Sequence, residues 1–142
     1  MQPTSYSELG QINGLQISGE LSNMDRMILS FDTNKTLHIS YTVSCCEVSQ
    51  LYFSDKLETV DDYNKLFIGK TITTIEYICD DDDGYEEKNG LYTTVHIYEI
   101  KFTDNETVLL KLSCESNGYY DSRLVTEIKK NDSNKYYDVR TL

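Results

Sequence analysis

The chain has no tryptophan, one proline (Pro3), two histidines and four cysteines in 142 residues. Its 13 Lys and Arg stand against 24 Asp and Glu, for a net charge of −11. Each shortage excludes something. A surface so poor in cations repels phosphate backbones over most of its area, so extended nucleic acid is disfavoured as a partner. No stretch approaches the roughly 18 consecutive apolar residues of a membrane-spanning helix, so no membrane partner is expected. The opening Met1-Gln-Pro-Thr-Ser-Tyr-Ser-Glu8 has neither the basic nor the apolar portion of a secretory leader. A cytoplasmic location is therefore expected. The cysteines, at 45, 46, 79 and 114, are too few and too irregularly spaced for a disulfide scaffold, and reduced thiols follow.

The same scarcity bears on chemistry. Zinc ligands come in pairs two to four residues apart, so that a loop can wrap the ion. Cys45 and Cys46 are adjacent, which on a strand sends them to opposite faces, and neither His38 nor His96 has a close companion. The acids Asp80–Asp83 invite a calcium-loop reading. Placing Gly84 at the sixth position of such a loop puts Cys79 first and Gly90 twelfth, where oxygen ligands are required. No metal and no cofactor are expected. There is no strained serine elbow and no glycine-rich phosphate loop. A Cys45–His38 pair would lack a third group to orient it. No catalytic residue is assigned.

What the chain does have is tyrosine, 12 of them, with many Thr, Ile and Val. These favour strands over helices. Length and composition fit one domain over residues 1–142. Met27, Leu29 and Phe31 alternate, Asp32–Lys35 turns, and Leu37, Ile39, Tyr41 and Val43 alternate again, which predicts a hairpin. On that reading His38 falls on the polar face. Further strands are predicted at 48–53, 71–79, 91–102, 107–114 and 124–128, with a weak one at 15–18. Val60–Phe67 is the helix, with Thr59 as cap, Asp62 in the reciprocal position and Gly69 as its left-handed terminator. Asp80–Gly90 reads as an exposed acidic loop. The fold class is all-β or β-dominated α+β: an antiparallel sandwich, roll or partly open barrel with one short helix.

Two features point to a binding surface. Residues 123–142 hold five cations against three acids, leaving eight cations against 21 acids in residues 1–122. A six-residue pattern, Ser116-Asn-Gly-Tyr-Tyr-Asp121, recurs as Ser133-Asn-Lys-Tyr-Tyr-Asp138. Asn117-Gly118 makes a turn that presents Tyr119 and Tyr120 on alternate sides, and Arg123 follows closely. Turn, aromatic ring and cation together suit an anionic or aromatic ligand. Asn117, Tyr119, Tyr120 and Arg123 are the candidate ligand- or partner-binding residues.

Cys45-Cys46-Glu47, Ile68-Gly69 leading into a strand, and Ser116-Asn-Gly-Tyr-Tyr120 before Ser122 carry a resemblance over about residues 25–125. The order of these motifs resembles that of a family of small uncharacterised domains from tailed bacteriophages and giant DNA viruses. A histidine often found just before the CCE motif is replaced here by the stretch Tyr41–Ser44. The resemblance implies a viral accessory protein acting in the host cytoplasm, and no specific activity. The expected function is a non-enzymatic binding module that sequesters a small signalling nucleotide or caps a host protein. A virion structural or assembly protein is the alternative. An enzyme of unknown reaction is the third. A mean hydropathy of −0.49 argues against large self-associating surfaces, although a homo-oligomer is compatible with the sequence.

Overall fold

The computed structural model describes residues 6–42, 48–81, 86–88, 91–116, 122–131 and 136–142. A short 3-10 turn at Tyr6–Leu9 precedes β1 (Ile12–Glu20), β2 (Asn23–Phe31), β3 (Lys35–Tyr41) and β4 (Val48–Phe53). Then come α1 (Val60–Phe67), β5 (Ile72–Asp80), β6 (Glu86–Lys88), β7 (Leu91–Phe102), β8 (Thr107–Ser116), β9 (Leu124–Lys130) and β10 (Tyr136–Thr141). The ten strands form one antiparallel sheet that curls into a half-barrel, in the order β10-β9-β3-β2-β4-β8-β7-β5, with β1 added on β2 and β6 on β7. The expected β-dominated fold with one short helix is what forms.

β2 is where the sheet divides. β1 takes one of its edges along nearly the whole strand. The other edge pairs with β3 at Met27–Ser30 and meets β4 only at Met24, opposite Leu51. Two leaves, β3-β9-β10 and β4-β8-β7-β5, therefore diverge from β2 and enclose one core. Met24, Met27, Leu29, Leu37, Ile39, Leu51, Ile100, Leu110, Leu112 and Leu124 are fully buried in it. The 3-10 turn adds Tyr6 and Leu9, with the Tyr6 hydroxyl hydrogen-bonded to Thr126 Oγ1 at 3.0 Å.

Local sequence explains the punctuation. Asn34 and Asn105 sit at φ 63° and 69°, in the left-handed region that asparagine tolerates, and close the β2–β3 and β7–β8 hairpins. Helix α1 begins with a capping box: Thr59 Oγ1 accepts the Asp62 N–H at 3.2 Å, and Asp62 Oδ2 accepts the Thr59 N–H at 3.1 Å. Gly69, at φ 82°, ends it. Eight residues make a marginal helix, so packing holds it. Tyr63 stacks on Phe53 at 4.0 Å, and Phe67 meets Phe102 edge-on at 5.7 Å.

Three expectations change. His38, expected on the polar face, is only 8% exposed, on a strand whose two edges are paired with β2 and β9. Burial is the first cause that lowers its pKa, and Arg26 and Lys129 add to it. The acidic segment is not one loop: Asp80 completes β5, and Glu86–Lys88 forms β6 against Leu91–Thr93. Ten strands form among the described residues, where the sequence reading gave seven and the weak one at 15–18; the additions are β6 and β10, which carry little alternation of their own.

Candidate functional site

β5 and β7 build the site through their register. On β7 the residues His96, Tyr98, Ile100 and Phe102 alternate onto one face, and all four are buried. Opposite them stand Asp80, Tyr77, Ile75 and Ile72 respectively. That set on β5 does not follow a period of two. The register slips between Ile72 and Thr74 and again between Tyr77 and Cys79, so each slip adds a residue to β5 that has no partner on β7. The second bulge brings Asp80 onto the face of Tyr77, three residues away, where regular alternation would oppose them.

The result is a polar end to an apolar face. Tyr77 donates its hydroxyl hydrogen bond to Asp80 Oδ1 at 2.8 Å, and His96 Nδ1 meets the same oxygen at 2.5 Å. The Tyr77 ring stands edge-on to Tyr98, centroids 5.7 Å apart, and to His96 at 6.1 Å. Tyr77 is fixed at its hydroxyl and along its edge, yet 48% of it is exposed. The bond to Asp80 pushes its pKa up to about 12. Asp80 is shifted the other way: partial burial raises its pKa, but the hydrogen bonds from His96 and Tyr77 and the His96 charge outweigh that and hold it below the usual carboxylate range.

The second wall comes from the other leaf. Thr42, just after β3, donates its N–H to the Arg123 carbonyl at 2.9 Å, and its Oγ1 accepts the Arg123 N–H at 3.0 Å. Ser122 is fully buried; its Oγ donates to the Thr42 carbonyl at 3.0 Å and lies 2.5 Å from Ser49 Oγ. Tyr98 ties the leaves together. Its hydroxyl accepts the Leu124 N–H at 3.2 Å and donates to the Leu142 carbonyl at 3.1 Å. Between the walls lies a cleft of about 320 Å³ lined by Tyr77, Asp80, His96, Tyr98, Ser122, Arg123 and Leu142.

Of the residues expected from sequence, Arg123 lies in this cleft, with its backbone fixed and its side chain exposed. Asn117, Tyr119 and Tyr120 lie outside the described residues, as do Cys45 and Cys46, for which no metal or catalytic role was expected. Tyr136 and Tyr137 pair through β10 with Lys129 and Ile128. Tyr77, Asp80, His96 and Tyr98 were not expected to act together. Serine, histidine and aspartate side chains meet at the cleft, but the Ser122 hydroxyl is committed to Thr42 and Ser49, which is not the state of a nucleophile activated by a histidine. Among the described residues, no cluster of three or more His, Cys, Asp or Glu is placed to hold a metal ion. Nor is any helix among them long and apolar enough to cross a membrane.

Fold and cleft define a β-rich half-barrel domain with a small polar–aromatic site between its leaves. The chain belongs to the family described as Domain of unknown function (DUF7448), which matches residues 9–126. The match takes in every cleft residue except Leu142. No curated protein and no solved structure matches the chain.

Proposed function

We propose that the domain is a non-enzymatic binding module for a small ligand that combines an aromatic ring with an anionic group, as a mononucleotide does. The observation that carries this reading is the pairing, across one cleft, of a clamped and half-exposed Tyr77 ring with the exposed Arg123 side chain. A ring stacks on the tyrosine, and the guanidinium takes the anion in a charge-assisted bond. The cleft volume, about 320 Å³, matches the small end of ligand sites. Asp80 and the net charge of −11 oppose polyanions, so a long strand or a triphosphate is a poor fit. The resemblance to bacteriophage and giant-virus domains adds a role: sequestering a signalling nucleotide of the host.

The test is a calorimetric and thermal-shift screen of cyclic and linear nucleotides against the protein, Tyr77→Ala and Arg123→Ala. Loss of the stacking ring should cost about 1–3 kcal/mol, or about 5- to 150-fold in affinity. Losing the guanidinium should cost a comparable amount. If a nucleotide binds and both folded variants bind it equally well, the cleft is not the site.

A further inference from the structure

The carboxylate that clamps Tyr77 also has an oxygen to offer a ligand. Asp80 Oδ1 takes both the Tyr77 hydroxyl and His96 Nδ1. A carboxylate oxygen has about two acceptor sites, so Oδ1 is filled. Oδ2 receives no hydrogen bond from any described residue, and the Asp80 side chain is 44% exposed where it lines the cleft. The bond from the Tyr77 hydroxyl puts this carboxylate at the hydroxyl end of the Tyr77 ring. A base stacked on that ring turns one edge toward it, while Arg123 on the opposite wall takes the phosphate. Resting on the binding reading above, we propose that the base is guanine, with N1–H and N2–H2 of its Watson–Crick edge donated to Asp80 Oδ2.

An ionised carboxylate accepts hydrogen bonds and donates none. Partial burial raises the pKa of Asp80, but the bonds from His96 and Tyr77 outweigh it, so the group is ionised at neutral pH. The common bases differ in what they show such an acceptor. Guanine offers two adjacent donors. Adenine and cytosine each place a ring-nitrogen lone pair beside the amino group, and uracil flanks N3–H with two carbonyl oxygens. A lone pair turned toward a carboxylate is repelled, so guanine is the base that gains two adjacent charge-assisted bonds. Hypoxanthine keeps N1–H, lacks the amino group and falls between guanine and adenine. The filled sites on Oδ1 also fix what Asp80→Asn does. The amide oxygen stays with Tyr77 and His96, and the amide NH2 takes the place of Oδ2. It then meets the donors of guanine with donors of its own, and gives N1 of adenine a partner.

Titration calorimetry at neutral pH compares guanosine, inosine and adenosine 5′-monophosphates, which share sugar and phosphate and differ in the base. A hydrogen bond to a charged group changes affinity about 10- to 150-fold. Wild type should therefore bind guanosine monophosphate at least about tenfold more tightly than adenosine monophosphate, with inosine monophosphate between them. In Asp80→Asn, with folding checked by thermal unfolding, that preference should vanish or invert. The three wild-type affinities test the inference without the variant. Equal affinity of the wild type for the guanine and adenine nucleotides would overturn this inference and leave the binding reading standing. So would a guanine preference that survives in folded Asp80→Asn. No binding by these three, or by any nucleotide in the screen, would overturn both.

Discussion

Tyr77 and Asp80 lie three residues apart on one strand, yet the Tyr77 hydroxyl donates to Asp80 Oδ1 at 2.8 Å. The bulge between Tyr77 and Cys79 makes this contact, by giving β5 one residue more than β7. Deleting Ile78, which is 47% exposed, should therefore be tolerated. The ladder closes up, Tyr77 and Asp80 become two residues apart, and their side chains stay on one face. We expect a cost of about 1 kcal/mol or less in urea unfolding, the range of surface changes. The Tyr77–Asp80 bond should persist. Loss of folding, or of the bond as followed by tyrosine ring NMR, would contradict the bulge account.

Asp80 to Asn removes the charge that holds the Tyr77 proton. Its pKa should move from about 12 back toward the ordinary value near 10, read from the Cζ resonance of ring-labelled tyrosine. The same variant fixes the sign of an acid effect. The folded pKa of Asp80 lies below its unfolded value, so its stabilisation is present above the ordinary carboxylate range and is lost as pH falls through the folded pKa. Wild type should lose more stability than Asp80→Asn on acidification below about pH 4. Equal losses would mean that the contact does not stabilise the fold.

Tyr98 to Phe tests the tie between the leaves. Removing the hydroxyl leaves the buried Leu124 N–H and the Leu142 carbonyl without this partner. The expected cost is about 1–3 kcal/mol in denaturant unfolding. A neutral result would show that water replaces the hydroxyl without loss.

Helix α1 rests on its cap and its aromatic contacts. Thr59 to Ala should cost about 1 kcal/mol. Phe67 to Ala should cost about 3–5 kcal/mol, because the fully buried ring fills the space between Phe53 and Phe102. Reversal of that order in chemical denaturation would mean the cap, not the core, holds the helix.

The elements with regular periodicity were legible in the sequence. α1 begins and ends where Thr59, Asp62 and Gly69 place it, and the hairpins at 27–41 and 91–114 follow their alternation and their Asn turns. The site was legible only at Arg123. Period two puts Tyr77 and Asp80 on opposite faces, and two bulges on β5 override it. Nothing in the residues around Ile78 marks a bulge, since β-branched residues fill regular strands equally well. His96 read as an apolar-strand residue because its partner is sixteen positions away on another strand, and pairing across strands is not written in local pattern. His38 shows the converse: alternation was read correctly, with Leu37 and Ile39 in the core, yet His38 between them is buried as well.

The central claim is that the cleft between the two leaves is where this domain meets its ligand. The most direct measurement is an NMR titration of isotope-labelled protein with a nucleotide found by screening, following amide, tyrosine ring and histidine ring resonances together. The account predicts that the largest shifts form one contiguous set: the rings of Tyr77, His96 and Tyr98 and the amides of Ser122 and Arg123. Saturable shifts that leave those five residues unmoved and cluster on another face, such as the outer side of α1, would contradict it.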